Sequence, residues 1–160
     1  MVEKDNSYKY TMEKKAETLF RRYTKQLVRK LGRHPLTDQE IDFYCKTTFP
    51  KWKGCYPQDT KFDLKPGYYI INNDVSSGPG IHWVGLILTQ KTAYIYDSFA
   101  RDSKKLLKHL TKRLSGKKIK IIDADRSDSE QRVHEIICGH LSLSWLHVAN
   151  DLGIRAAIKI

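Results

Sequence analysis

Hydrophobic and polar positions follow a helical period at both ends of the chain and a strand period in its middle. Met12, Ala16, Leu19, Phe20, Tyr23, Leu27 and Leu31 form one stripe at helical spacing, and Lys14, Lys15, Arg21, Arg22, Lys25, Arg29 and Lys30 occupy the remaining circumference. The pattern predicts an amphipathic helix with a basic outer face, opening at Met12 after a frayed Met1–Thr11 and ended by Gly32 and Pro35. Thr37-Asp38-Gln39-Glu40 is a capping box that starts a second, short helix with Ile41, Tyr44 and Cys45 inward, stopping before Pro50. Phe49 to Pro66 reads as loop. Gly67 to Asn72 reads as a strand, followed by a loop from Asn73 to Gly80. Ile81 to Leu88 is a strand apolar on both faces and hence central. A turn over Thr89 to Thr92 leads to a strand over Ala93 to Asp97, a helix over Arg101 to Leu114 and a short strand over Lys117 to Ile122. After a polar loop, Leu141, Trp145 and Val148 recur at i, i+4, i+7, with Leu143, Leu146 and Ala149 beside them. A helix this apolar around its circumference lies inside a domain. The tail from Arg155 to Ile160 reads as an edge strand. Together these elements predict an α+β fold: a central mixed sheet packed against a buried C-terminal helix, with the N-terminal helices to one side.

Composition narrows the class. A chain of 160 residues with 40% hydrophobic content suits one domain, residues 1–160, with a single sizeable core. No apolar run reaches transmembrane length, and the polar start from Met1 to Tyr10 is not a secretory signal. The cysteines, Cys45, Cys55 and Cys138, are odd in number and lack CxxC spacing, which points to a reducing intracellular setting. The net charge of +11 points towards polyanions, nucleic acid or an acidic membrane surface, unless it is simply a solvated basic surface. The stripe on the first helix is docking surface rather than a membrane anchor, because its outer face lacks interfacial tryptophans. No G-x-S-x-G elbow, P-loop or dinucleotide fingerprint is present. His134-Glu135 resembles the opening of a zinc-protease helix, but Cys138 stands where the second histidine belongs. His140 and His147 are too far apart to make a metal site without help, so no metal is expected.

The candidate chemistry centres on Cys138, at the start of the buried helix. Peptide dipoles there favour negative charge, so the thiol ionises more easily than a free cysteine, and Gly139 lets another group approach the sulfur. The plainer alternative is a small apolar residue opening a core helix. Cys55, in the predicted loop, is a second nucleophile candidate, and Cys45 reads as core. A nucleophile needs a base and the base needs an orienter. His82 is a polar residue at the head of an otherwise apolar central strand, and Asp97 is its mirror at the far end of the next. A two-residue turn at Thr89-Gln90 pairs residues whose numbers sum to 179, setting His82 opposite Asp97. A turn at Gln90-Lys91 gives 181 and makes them diagonal neighbours on one face. An odd-length loop without a bulge separates them. Triad logic then has Asp97 accept from Nδ1–H and leaves Nε2 for the thiol. Gln131, seven positions before Cys138, can join the Cys138 backbone N–H in holding a developing oxyanion.

The motifs G-I-H-W-V (Gly80 to Val84), Y-I-Y-D-S-F (Tyr94 to Phe99) and Q-x6-C-G (Gln131 to Gly139), in this order, resemble the adenovirus endopeptidase family of cysteine proteases, whose wider kin include SUMO-deconjugating proteases and the versions in virophages and Polinton elements. The resemblance implies Cys138 as nucleophile, His82 as general base, Asp97 as orienter and Gln131 as oxyanion donor. Trp83 and Gly139 fall to substrate binding, with Trp83 narrowing the cleft so that only glycine fits beside the cut bond, or else packing a sheet face. Asp97 departs from the glutamate of the adenoviral enzymes and matches the deconjugating relatives. The implied function is viral maturation: an endopeptidase cutting capsid or virion precursors, monomeric, in the virion and the infected cell. No cofactor is required for the chemistry, though DNA or an activating peptide is implied as an activator. Lys14, Arg21, Arg22, Lys25, Lys104, Lys108 and Lys112 then become candidates for non-specific DNA contacts. The alternatives are a ubiquitin-like-protein deconjugating protease and an inactive, basic, nucleic-acid-binding virion protein.

Overall fold

The computed structural model describes residues 2–78, 82–124, 129–131 and 136–160, with residues 2–6 described by their backbone alone. Gly80 and Ile81 of the first motif, the loop residues Asp125 to Asp128 and His134-Glu135 lie outside the described residues. Helix α1 spans Val2–Leu31 and buries Ala16, Phe20 and Leu27. It begins well before Met12, the predicted start. Nothing in the sequence before Gly32 breaks a helix, and extending a nucleated helix costs little per residue. Helix α2, Asp38–Thr48, carries the predicted capping box, with the Thr37 side chain accepting from Glu40 N and the Glu40 carboxylate from Thr37 N at 3.1 Å.

Strand β1, Trp52–Pro57, corrects the loop reading of Phe49 to Pro66. It pairs in parallel with β2, Gly67–Asn72, through a register shift between Trp52 and Gly54. A parallel partner and a bulge leave no hairpin signal, and an edge strand tolerates Pro57. Strands β3, Trp83–Leu88, and β4, Thr92–Tyr96, follow in antiparallel order. Helices α3, Ser103–Leu106, and α4, Lys108–Gly116, lead to β5, Lys120–Asp123, which is parallel to β4. The single helix predicted over Arg101 to Leu114 is thus two. It starts later because Asp102 caps it, accepting from Lys104 N at 3.0 Å, and it breaks at Leu107. The sheet order β1-β2-β3-β4-β5 puts β3 at the centre, as its two-sided apolarity predicted. Helix α5, Cys138–Leu152, is buried from Cys138 to Ala149. The predicted edge strand at the tail is instead helix α6, Ile154–Ala157, reached through Gly153 at φ 93°, a left-handed conformation that stops α5. The fold is α+β with a five-stranded mixed sheet.

Alternation along the strands divides the core. Tyr68, Ile70, Ile87 and Tyr96 pack with α1, α2 and α5, while Tyr69, Ile71, Val84, Leu86 and Ile95 pack with Leu107, Leu110 and Leu114 of the α4 segment. Helix α5 lies across the sheet where β3 lacks a side chain. A Cβ at Gly85 would stand 2.7 Å from Trp145 Cε3. The Trp145 ring stacks on Tyr96 at 5.5 Å, and its indole N–H donates to Ala157 O at 2.8 Å. No helix among the described residues is long and apolar enough to cross a membrane. Gly85→Ala should lower stability by about 1–3 kcal/mol by overpacking, read from urea unfolding. Gly116→Ala, with nothing within 4 Å of the new methyl, should leave stability unchanged or raise it by up to about 1 kcal/mol.

Candidate active site

The β3–β4 hairpin brings the candidate base, His82, and its candidate orienter, Asp97, together. Gly85 pairs with Tyr96 and Leu86 with Ile95, sums of 181, so the turn falls at Gln90-Lys91, and Thr89 N donates to Thr92 O at 2.8 Å across it. Carried past the end of the ladder, this register makes His82 and Asp97 diagonal neighbours, and His82 Nε2 lies 2.5 Å from Asp97 Oδ1. The nitrogen assignment reverses the expected one. Asp97 takes Nε2, which leaves Nδ1 as the ring nitrogen for the sulfur. Both side chains are buried.

The segment after Asp97 folds back over its carboxylate. Arg101 N and Arg101 Nε donate to Oδ2 at 3.0 and 2.8 Å, Arg101 Nη2 reaches Oδ1 at 3.4 Å and Phe99 N donates to Oδ1 at 3.3 Å. Ala100 adopts φ 57° to make this turn, a strained conformation for a residue with a Cβ. Arg101 was not legible as part of the site, since an arginine four residues after an aspartate reads as the start of the following helix.

Cys138 is the first residue of α5, is 9% exposed and lies close enough to the His82 ring for each to shift the other's titration. Burial by itself would raise its thiol; the His82 hydrogen bond and charge, with backbone N–H donors from Trp83 and Gly139, outweigh burial and lower it. For His82, burial by itself would disfavour the charged ring, and the hydrogen bonds to Asp97 and Cys138 overcome this and raise it. For Asp97, burial opposes ionisation, but the bonds from His82 and Arg101 hold the carboxyl well below the usual range. All three shifts favour one charge state, a thiolate beside an imidazolium beside a carboxylate.

Gln131 is buried and tied to Ser98, the residue after Asp97. Ser98 Oγ donates to Gln131 Oε1 at 2.5 Å and Gln131 N donates to Ser98 O at 3.0 Å. With Oε1 engaged by a hydroxyl, the Nε2 end of the amide is turned the other way. Trp83 lines a cleft of about 450 Å³ together with Leu36, Tyr56, Asn72, Val75 and Cys138. Its indole N–H donates to Leu36 O at 2.7 Å. Gly139 is buried beneath Leu36 rather than open to the cleft, and a Cβ there would meet Leu36 Cδ1 at 3.1 Å. Leu36, from the α1–α2 linker, is a cleft residue that the pattern of the sequence did not reveal.

The remaining candidates fall elsewhere. Cys55 lies in β1 and borders the same cleft, but burial pushes its thiol up, and the same holds for Cys45 in the core. His140 donates through Nε2 to Gly32 O at 2.7 Å, and His147 shares a 2.6 Å hydrogen bond with the Tyr44 hydroxyl while burial holds its ring down at about 4. Lys14, Arg21, Arg22 and Lys25 are exposed on α1, and Lys104, Lys108 and Lys112 on α3 and α4. Because α1 and α4 pack on opposite faces of the sheet, these form two patches and not one stripe. Among the described residues no group of three or more His, Cys, Asp or Glu side chains could hold a metal. No protein-family model matches the chain, and no curated protein matches it.

Asp97 also sets an acid limit on the fold. A carboxyl whose folded value lies below its unfolded one stabilises above the unfolded value, about 3.9 for aspartate, and that stability is lost as pH falls through the folded value. Urea unfolding of the parent should therefore weaken steeply below about pH 4. Asp97→Asn, less stable at neutral pH, should show a flatter slope over the same interval.

Proposed function

We propose that this chain is a cysteine endopeptidase of the adenovirus endopeptidase type, with a papain-like arrangement of nucleophile helix and base-bearing sheet. The observation that carries the reading is His82 held between the Asp97 carboxylate and the sulfur of Cys138 at the N-terminus of α5. The same set argues against a decayed site, in which nothing would maintain a buried imidazole between two acidic groups.

The chemistry runs as acyl transfer. The Cys138 thiolate attacks the scissile carbonyl carbon, a C–S bond forms and the π electrons move onto oxygen. The Cys138 backbone N–H and the Gln131 amide receive that oxyanion. The His82 imidazolium gives its Nδ1 proton to the departing amine nitrogen as the C–N bond breaks. Water then adds to the thioester, His82 takes its proton, and collapse releases a carboxylic acid and restores the thiolate–imidazolium pair. Asp97 remains a carboxylate throughout and keeps the imidazole oriented.

Trp83, pinned to Leu36 O, walls the cleft next to the sulfur and supports cleavage beside a small residue, glycine by the resemblance. Capsid or other virion precursors are the proposed substrates, with action in the virion and the infected cell. The exposed cations of α1, α3 and α4 support a non-specific polyanion partner, DNA by the same resemblance. Peptide turnover should then rise with DNA at low salt and lose that gain at high salt.

Cys138→Ala should leave the fold intact and lower peptide cleavage by roughly 10⁴-fold or more, and His82→Ala should do nearly as much. The parent should show a bell-shaped pH–rate profile, since both deprotonating the imidazolium and protonating the thiolate destroy the active pair. Turnover that survives Cys138→Ala refutes the mechanism. A glycine-containing precursor peptide cut faster than a ubiquitin-like fusion supports maturation over deconjugation, and the reverse order supports deconjugation.

A further inference from the structure

Asp97 serves two cations. His82 approaches Oδ1 from one side, and the Arg101 guanidinium approaches from the other, donating through Nε to Oδ2 at 2.8 Å with Nη2 at 3.4 Å from Oδ1. The Arg101 side chain is 44% exposed whereas that of Asp97 is 3% exposed. An arginine with free access to water therefore folds back over a buried acid instead of extending. Its course is fixed by contacts: its own backbone N–H also donates to Oδ2, and its guanidinium lies over the Phe99 ring at 5.0 Å. The Phe99 ring in turn lies 5.3 Å from the His82 ring. Guanidinium, phenyl and imidazole are thus neighbours in a short row, the two rings tilted by 35°, with Asp97 bridging the two charged groups.

We infer that Arg101 is a positioning residue of the thiolate–imidazolium pair: it fixes the Asp97 carboxylate and takes a share of its charge, so that His82 is oriented without holding its proton too tightly to release. This rests on the cysteine endopeptidase reading. A buried carboxylate with one cationic neighbour would give its full field to that neighbour, and the imidazolium would become a weaker acid just where it must protonate the leaving amine. A second cation on the far side divides that field. Among the described residues, the other titratable groups that act on this pair are the Cys138 sulfur, beside the His82 ring, and Tyr96, next to Asp97, whose hydroxyl donates to Glu130 at 3.3 Å. Removing the Arg101 charge makes protonation easier at every nearby group. The titrations of Cys138 and His82 should then both move to higher pH. A role confined to closing the loop before α3 predicts lost stability and no movement of either titration.

The test reads Cys138 directly. The rate of its alkylation by iodoacetamide, followed by mass spectrometry of the Cys138 peptide, is measured against pH for the parent, Arg101→Lys and Arg101→Gln, with circular dichroism as the check on folding. The Lys variant keeps the charge and loses the fork. Its curve should overlie the parent's, while the Gln curve should move to higher pH. On a peptide substrate, Gln should lower kcat by about tenfold with KM unchanged, and Lys should fall between the two. A folded Gln variant whose alkylation curve coincides with the parent's overturns the inference. If the parent cleaves no peptide, the endopeptidase reading falls, and the alkylation curves still decide the role of Arg101.

Discussion

The seat of Trp145 on Gly85 is the contact through which the rest of the site is registered. A missing side chain on the central strand lets the indole lie against the sheet, where Tyr96 stacks on it and Ala157 accepts its N–H. Trp145 is seven residues after Cys138, about 10 Å along the helix axis. Docking the ring therefore sets how far the N-terminus of α5 reaches past the ends of β3 and β4. Those strand ends carry His82 and Asp97. One void in a row of β-branched and aromatic residues converts a packing requirement into a sulfur-to-imidazole alignment.

Around that alignment the electrostatics close on themselves. Burying a carboxylate, an imidazolium and a thiolate separately would be prohibitive, and each is tolerable because the others compensate it. Asp97 is the hinge of this balance: it accepts from His82, from Arg101 three times over and from Phe99 N. The same residue is followed by Ser98, which anchors Gln131 through both its hydroxyl and its carbonyl. The stretch from Asp97 to Arg101 thus organises both the imidazole proposed as base and the amide proposed for the oxyanion, and the left-handed Ala100 is the backbone cost of doing so.

Much of this was readable in the chain. The two-sided apolarity of β3 gave its central place, and the apolar circumference of α5 placed Cys138 at a buried helix start; that His82 and Asp97 share a face followed from the sequence only on condition of an even-length turn, which the structure supplies at Gln90-Lys91. What escaped reading shares one physical property: it depends on contacts between residues whose local pattern has another use. Leu36 reads as linker, yet it accepts from the indole of Trp83 across 47 residues. Arg101 reads as the first turn of a helix. Strand β1 was hidden because its partner is parallel and its register is interrupted by a bulge. The choice of Nε2 over Nδ1 for Asp97 depends on the angle at which a ring leaves the backbone, which strand periodicity does not encode.

The pairing of α1 with α5 joins distant parts of the chain; Thr24 Oγ1 meets Ser144 Oγ at 2.9 Å across 120 residues. Closing so wide a loop is slow and comes late in folding. Until it closes, α5 lacks one of the two surfaces that cover it, since the sheet meets only the side that carries Trp145. The easy ionisation of the Cys138 sulfur is therefore a property of the assembled globule and not of the short stretch of chain around it.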